Sequence, residues 1–312
     1  MRSVAIAAHD AVKAKARPQV RRRAARRTPD LVLALPWILP GMLLFFVFVH
    51  LPMLVQVVMS FGPDHLGQAF VATLKNYTDL AGDKKFWAAL GHNVHYAVAS
   101  VIGKIVLSFI LAMALNGAFR GRAFFRAVFF LPVVISFVAI GTVWGFMLQY
   151  DHGAVNAALR AVGLPTPNWL GDPRLAMWSI ILVDIWKWTG FHVVIYLAGL
   201  QALPHEVEEA AIVDGANAWQ RFWRITVPLM APYTITNTII ATLGAFSVFD
   251  LVFVMTTGGP FNATQVAMTQ VYLNAFQFQR FGYASAQATV LLLIMGVVSV
   301  VLLRFGQQGE ER

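Results

Sequence analysis

Long apolar runs recur along this 312-residue chain and constrain its fold more than any other feature. A helix needs about 20 apolar residues to cross the hydrocarbon core of a bilayer. Inside the bilayer every backbone polar group must be hydrogen-bonded within the protein, and helices meet that demand. Since 58% of the residues are hydrophobic and 12% are charged, the chain is predicted to be an all-α integral membrane protein.

Six membrane spans are predicted, joined by segments richer in Gly, Pro, Asn and charge. They cover residues 31–61, 93–115, 124–149, 175–200, 233–257 and 284–304. The expected domains are a basic tail at 1–30, a membrane domain at 31–305 and a short tail at 306–312. The first thirty residues lack an apolar core, so no secretory signal is expected.

Composition excludes several classes of protein. The net charge is +9 and the mean hydropathy is +0.64, so a basic anchor beside a membrane span explains the tail better than a nucleic-acid patch does. The chain has no cysteine, which excludes disulfides, thiolate metal sites and a Cys nucleophile. His92, His95 and His192 lack a spacing that suits a metal site.

Lys and Arg are unevenly distributed between the two sides of the predicted spans. Sixteen of the 24 lie on the side of the termini, counting the N-terminal tail, the segment 116–126, the segment 203–232, and Arg304 and Arg312. Because cytoplasmic segments carry the excess of basic residues, both termini and the segment 203–232 are expected in the cytoplasm.

One polar segment between two apolar runs stands out, and we call residues 203–232 the polar island. It carries four of the 15 acidic residues, Glu206, Glu208, Glu209 and Asp214. Pro204 suits a first helical turn, and acidic residues near a helix start are stabilised by the helix dipole. Gly215 tolerates the left-handed conformation that ends a helix. The island is therefore predicted to form a helix, a turn and a second helix at 218–225.

The island resembles the EAA motif of the membrane subunits of bacterial ATP-binding-cassette importers. The matching residues are Glu209-Ala210-Ala211, Asp214-Gly215-Ala216, Phe222, Ile225, Pro228 and Pro232. Further blocks resemble carbohydrate-importer permeases of the maltose and glycerol-phosphate type: Leu197–Pro204, Phe249-Asp250, Thr257–Pro260 and Gly282–Ala286. The resemblance covers roughly residues 30–305. It implies a type I importer permease fold with six transmembrane helices and cytoplasmic EAA coupling helices, located in the bacterial plasma membrane.

This resemblance also implies a mechanism and partners. In such importers the EAA helices sit in a groove of the cytoplasmic ATPase. The residues expected to couple to it are Glu209, Ala210, Ala211, Asp214, Gly215 and Ala216. The implied partners are a second, related permease, an ATPase dimer and an extracytoplasmic substrate-binding protein.

The competing interpretation of the island is an amphipathic hairpin on the membrane surface. The glutamates of the island disfavour it, because they would face anionic lipid headgroups.

The chain lacks a Gly-rich phosphate loop followed by Lys and Ser or Thr. No ATPase site and no cofactor are therefore expected in this chain, and ATP would be bound by the partner ATPase.

Ionisable residues within the predicted spans are candidates for the solute path, because they are costly in lipid. They are Lys104, Asp184, Lys187 and Asp250. Asp184 and Lys187 are three residues apart and could simply neutralise each other. Alternatively, Asp184, Trp188 and Phe191 share one helix face, where a carboxylate and aromatic rings suit a sugar.

The resemblance implies the same face, since these positions match sugar-contacting ones in the maltose-type permease, although that family has an amide where Asp184 stands. In the fifth span the matching stripe holds Ala241, Gly244 and Val248, with Asn237 extending it and Ser247 beside it. The expected substrate-binding residues are Asp184, Trp188, Phe191, Asn237, Gly244, Ser247 and Val248.

Two alternatives to a sugar importer remain open at this point. The first is an importer of a polyol or glycerol phosphate, in which Lys187 or Lys104 would bind the phosphate. The second is a secondary transporter driven by ions, with Asp184 and Asp250 as coupling acids; it would leave the polar island without a use.

Overall fold

Helices dominate the structure. A computed structural model describes residues 30–65 and 67–310, and within these ranges the regular secondary structure is entirely helical, as predicted. The helices are α1 (Asp30–Phe45), α2 (Leu51–Met59), α3 (Lys75–Ala81), α4 (Lys84–Asn116), α5 (Arg122–Val134), α6 (Phe137–Met147), α7 (Ala154–Ala161), α8 (Ala176–Ala202), α9 (His205–Val213), α10 (Ala218–Arg221), α11 (Val227–Leu229), α12 (Ala231–Phe246), α13 (Asp250–Thr256), α14 (Ala267–Tyr272) and α15 (Phe281–Glu310). Single π-helical turns lie at Phe46–His50, Phe222–Thr226 and Leu273–Gln277.

Several helices are long enough to cross a membrane. Four are also sufficiently apolar: Ala34–Met59, Lys84–Asn116, Ala176–Ala202 and Phe281–Arg304. Two pairs of consecutive helical segments are long and apolar enough only when taken together, and each pair is bent. Arg122–Val134 meets Phe137–Met147 at a bend of 100°, and Ala218–Leu229 meets Ala231–Phe246 at a bend of 60°. The described residues thus hold four unbroken candidate spans, or six if each bent pair counts as one.

Three predicted spans differ from the observed helices. The second begins at Lys84 and not at residue 93, because Asp83 caps the helix through Oδ1, which accepts from the backbone N–H groups of Lys85 (2.9 Å) and Phe86 (3.3 Å). The third is broken between α5 and α6, where the Ser136 side chain caps the new helix. The fifth ends at Phe246 and resumes as α13.

The chain divides into two units, and residues 30–54 belong to the first. This part is one apolar helical path that contains Pro36 and Pro40 and passes through the π-helical turn at Phe46–His50. Its large side chains are exposed, with Trp37 at 88%, as suits a surface that faces lipid. The predicted basic tail lies outside the described residues apart from Asp30.

The second unit, from Val55 onward, is built around α4 and α8, which pack along each other. Buried side chains from both helices form a cluster with Met230: Ala112, Leu115, Val193, Tyr196, Leu197 and Leu200. Gly190 allows α5 to approach α8 closely, because a Cβ there would collide with the backbone of Phe129. The interior of this unit is therefore close-packed, and changes at one end of α8 bear on its neighbours.

Opposite ends of α4 meet different parts of the chain. At 33 residues, the helix is about 50 Å long at 1.5 Å per residue. Near its C-terminus, Asn116 and Leu200 of α8 line a small cavity with Val207 and Arg221 of the polar island. Near its N-terminus, Asp83 accepts a hydrogen bond from the Tyr283 hydroxyl at 2.6 Å. The island and the loop preceding α15 are thus at opposite ends of the bundle.

Candidate functional site

The polar island forms two helices joined by a tight turn. The first, α9, ends at Val213, and Gly215 in the turn after it has a φ of +80°, in the left-handed region, as the sequence predicts. The Ala216 N–H bonds the Ala211 carbonyl at 2.9 Å. Asn217 then starts the second helix with a capping box, exchanging 2.9 Å hydrogen bonds with Gln220. We call α9 and the helical stretch 218–229 the helix pair.

The helix pair exposes an unusual combination of apolar and acidic side chains. Val213 is 86% exposed and Trp219 is 70% exposed, while Ile212 and Trp223 are each about half exposed. Among the residues predicted to couple to an ATPase, Glu209, Ala210, Asp214 and Gly215 are exposed, Ala216 is half-buried and Ala211 is buried. An exposed apolar patch with a polar rim marks a surface that contacts another protein, a membrane or a ligand.

Aromatic contacts fasten the helix pair to the membrane helices. The Phe222 ring lies 6.0 Å from the ring of Phe109 in α4, and Phe109 lies 5.1 Å from Tyr196 in α8. Met230, directly after the pair, is fully buried in the same cluster. A displacement of the pair would therefore be transmitted to both α4 and α8.

Asp184 forms an ion pair with Lys104 inside the bundle. The distance from Asp184 Oδ2 to Lys104 Nζ is 2.5 Å, and both side chains are at most 5% exposed. This corrects the hypothesis that Asp184 and Lys187 neutralise each other. The reason is geometric: α4 lies against α8 on the face that carries Asp184, so its lysine meets the carboxylate first.

Lys187 binds backbone instead. Its Nζ donates to the carbonyls of Pro132 (3.1 Å), Val133 (3.3 Å) and Ile135 (2.6 Å). These carbonyls lie where α5 ends at the 100° bend, and the last carbonyls of a helix lack helical partners. Among them, the Pro132 carbonyl also accepts the Ile135 N–H at 3.3 Å. The ammonium group also lies over the rings of Phe137 (4.6 Å) and Trp188 (5.5 Å). Lys187 therefore stabilises the bend between α5 and α6 in the third span.

Four of the seven predicted substrate-binding residues remain accessible. Trp188 and Phe191 are half-buried, with ring centroids 5.7 Å apart, and Phe137 adds a third ring 6.0 Å from Trp188. Gly244 and Ser247 are exposed on α12 and at its end. A Cβ on Gly244 would meet open space. The accessible residues are thus an aromatic surface on α8 and two small residues on α12 and at its end.

Asp184, Asn237 and Val248 are buried instead. Asn237 is fully buried, and its Oδ1 lies 2.9 Å from His192 Nδ1. Val248 belongs to the apolar core. The sequence did not predict that His192 would lie beside Asn237 or Phe137 beside Trp188. Lys104 was predicted as a candidate, but its pairing with Asp184 was not. A sequence signal existed only for Lys104, as an ionisable residue within a span.

These features together define a polytopic membrane transport subunit: apolar spans, two of them bent, an exposed helix pair, and buried charges that bind an opposite charge or backbone carbonyls. Residues 104–309 match the family described as "Binding-protein-dependent transport system inner membrane component". The chain belongs to this family and is a permease subunit of an ABC transporter.

Relatives and solved structures agree with the family. A probable ABC transporter permease of Bacillus subtilis, YurN, is 38% identical over 279 residues, covering 86% of this chain and 94% of the relative. The trehalose/maltose transport system permease MalF of Thermococcus litoralis is 34% identical over 275 residues, covering 86% and 92%. A crystal structure of a bacterial ABC transporter that imports the acidic polysaccharide alginate shares the fold, with a TM-score of 0.80 at 23% identity, over 89% of this chain and 96% of that one.

The pairing of buried charges makes a testable prediction. Lys104→Met leaves Asp184 as an unpaired buried charge and is expected to lower the free energy of unfolding by about 3–5 kcal/mol. Adding Asp184→Asn should recover most of that loss, because the double variant buries no charge at this position. Unfolding of the detergent-solubilised protein, followed by circular dichroism, measures both effects.

Lys187→Met provides the matched control. It should also destabilise the protein, because it removes the Lys187 hydrogen bonds to the carbonyls at the bend, but Asp184→Asn should not rescue it. Rescue of Lys187→Met and not of Lys104→Met would show that Asp184 pairs with Lys187 after all.

Proposed function

We propose that this chain forms half of the translocation path of an ATP-driven importer of a sugar or oligosaccharide. The observation that carries the proposal is the exposed helix pair, fastened to α4 and α8 at one end of the bundle. A transport subunit without its own ATPase site needs such a surface to receive the energy of ATP hydrolysis. The partners are a second permease, an ATPase dimer and an extracytoplasmic substrate-binding protein.

Coupling would act through three features of the helix pair. Glu206, Glu208 and Glu209 are exposed and can meet Lys or Arg of the ATPase. The apolar tip at Ile212 and Val213 can fill its groove. Phe222 passes the movement to Phe109 and so to α4. ATP is bound by the ATPase subunits, and this chain contributes no cofactor.

The orientation follows from the same surface. An ATPase that uses cellular ATP lies in the cytoplasm, so the end of the bundle that carries the helix pair faces the cytoplasm. The excess of basic residues on that side agrees with this orientation. Both termini are then cytoplasmic, and the protein resides in the bacterial plasma membrane.

A sugar is the solute that the accessible residues suit best. The rings of Trp188, Phe191 and Phe137 can cover the apolar C–H faces of a sugar, and the Ser247 hydroxyl can bond its hydroxyls. Small Gly244 leaves space for the ring. The trehalose/maltose permease of T. litoralis, 34% identical, supports the same class of solute.

The contacts of the buried charges argue against the two alternatives, an importer of a phosphate ester and an ion-driven transporter. Lys104 is paired with Asp184, and Lys187 is bonded to three carbonyls, so neither ammonium group is available for a phosphate ester. Asp184 is likewise engaged and is a poor coupling site for an ion. An ion-driven transporter would also leave the helix pair without a partner.

Two substitutions in the helix pair test the docking. Gly215→Asp places a side chain at φ +80°, where side chains are strained by about 1–2 kcal/mol, and adds a carboxylate to the turn. Glu209→Lys reverses a charge that faces the ATPase. Both variants should insert into the membrane normally, while co-purification of the ATPase falls about tenfold or more, equivalent to about 1.4 kcal/mol.

Gly163→Asp is the matched control, because Gly163 also has a positive φ, +74°, and open space around it, but lies outside the polar island. It should retain the ATPase. Undiminished co-purification with both island variants would refute the docking proposal.

The sugar site makes a separate prediction. Trp188→Leu removes one face of the aromatic surface and should raise the KM for sugar uptake several-fold, since an aromatic pair contributes about 0.5–1.5 kcal/mol. Uptake is measured in proteoliposomes that hold the complete transporter and ATP. Trp178→Leu, on the same helix but packed against His95 (5.0 Å), should leave KM unchanged.

The same assay distinguishes the energy sources. Vanadate should abolish uptake if ATP drives it. Uptake by this chain alone, driven by a proton gradient, would establish the ion-driven alternative instead.

A further inference from the structure

A cavity of about 720 Å³ opens at the end of the bundle opposite the helix pair, and we call it the outer cavity. Its volume lies within the range of small-molecule sites, about 300–1,000 Å³. It is formed where the N-terminus of α4 meets the loop before α15. Its polar lining includes Lys84, Lys85, Gln265, Gln270, Asn274 and Arg280.

Positive charge in the outer cavity exceeds negative charge. The lining acid, Asp83, is fully engaged: Oδ1 caps α4, and Oδ2 accepts the Tyr283 hydroxyl at 2.6 Å. Arg280 is paired with Asp64 at 3.0 Å. Lys84 and Lys85 are exposed, and neither has a carboxylate within 4.0 Å in the described part of the chain. Two ammonium groups are therefore free to bind an anion.

Gln265 adds a buried donor without a partner. The residue is only 4% exposed, and its backbone carbonyl lies 2.9 Å from His92 Nδ1. Its side-chain Nε2 has no hydrogen-bond partner among the described residues. A buried donor without a partner costs about 1–3 kcal/mol, so a rotation that turns this side chain toward a ligand acceptor in the cavity would recover that cost.

Two loops at the cavity have strained backbone. Phe261 and Asn262 before α14 and Gln279 before α15 all have positive φ, between 51° and 63°, which is costly for residues other than glycine. The loop before α15 is nevertheless held in place, since the Tyr283 N–H bonds Asp64 Oδ1 at 3.1 Å and His65 Nδ1 lies 3.1 Å from the Gln279 carbonyl. Backbone strain that the surrounding contacts maintain is concentrated at functional sites.

We propose that the outer cavity binds a sugar acid, a polyhydroxylated ring that carries a carboxylate, before it enters the spans. Lys84 and Lys85 receive the carboxylate through charge-assisted hydrogen bonds. Gln265 Nε2 donates to a ring hydroxyl, and the exposed Phe278 ring covers a C–H face. The proposal rests on the proposed import of sugars, since the cavity lies at the end of the bundle where an importer receives its solute.

The test compares two probes that differ only in the acid group, trigalacturonate and neutral galactotriose. Their binding is measured by calorimetry to the full-length protein within its transporter complex in nanodiscs. The acid should bind at least about tenfold more tightly than the neutral sugar, and added salt should weaken its binding. Joint substitution of Lys84→Gln and Lys85→Gln should remove this difference.

Two further variants make the result specific. Gln265→Glu keeps the shape of the side chain but adds a negative charge, so it should also weaken binding of the acid about tenfold or more. Lys75→Gln removes an exposed lysine outside the cavity and should change nothing. Monodisperse elution of each variant complex shows that the fold is retained.

Equal binding of the two probes, or acid binding that the Lys84 and Lys85 substitutions leave intact, would overturn the proposal. So would a loss of the substrate-binding protein from these variants without any effect on probe binding, which would identify the cavity as a protein-docking surface. Each of these results leaves ATP-driven uptake of neutral sugars untouched, so the outer cavity can fail while the proposed function stands.

Discussion

Inside a bilayer, each backbone polar group and each charge must be satisfied within the protein, and this constraint determines how the chain can bend its spans. Lys187 fills the gap at the bend between α5 and α6 by bonding three carbonyls. Asn93 does the same where α12 ends: its amide Nδ2 donates to the Phe246 carbonyl at 3.2 Å, and its Oδ1 accepts from the Ala267 N–H at 2.7 Å. Side chains of α4 and α8 thus stabilise the breaks in their neighbours.

The bent spans and the helix pair are connected through the same two helices, α4 and α8. The helix pair contacts α4 and α8 through Phe222 and Met230. The same two helices supply the ion pair of Lys104 with Asp184 and the polar groups at both breaks. A movement imposed on the helix pair therefore reaches the irregular segments beside Trp188 and Gly244, where we place the sugar. At the far end of α4, Lys84 borders the outer cavity.

Local signals made the fold class and the helix pair predictable from the sequence. Apolar runs indicate spans, and Gly215 indicates the left-handed turn that the structure shows. The partner of Asp184 was not predictable, because Lys104 lies far away in sequence and only the packing of α4 on α8 brings it near. The bend after Pro132 was also missed, since proline alone does not predict a break: Pro36 and Pro40 lie inside α1.

Some predicted substrate-binding residues are accessible and others are buried, and the packing of the helices again explains why the sequence did not predict which. A helical stripe places residues on one face, but it does not show whether that face meets a cavity or another helix. Trp188 and Gly244 are accessible, whereas Asp184 and Asn237 of the same stripes are buried against neighbouring helices. Asp184, a predicted sugar ligand, is thus buried and paired with Lys104 in this structure.

Site-specific cross-linking can establish whether the helix pair contacts the ATPase. The chain has no cysteine, so Val213→Cys introduces its sole thiol at a position that is 86% exposed. A short thiol-to-amine cross-linker applied to membranes should join this variant to the ATPase. Val162→Cys, 70% exposed in the protein but outside the helix pair, should give no such product. Equal yields from the two variants, or no ATPase adduct with Val213→Cys, would show that the ATPase does not bind at the helix pair.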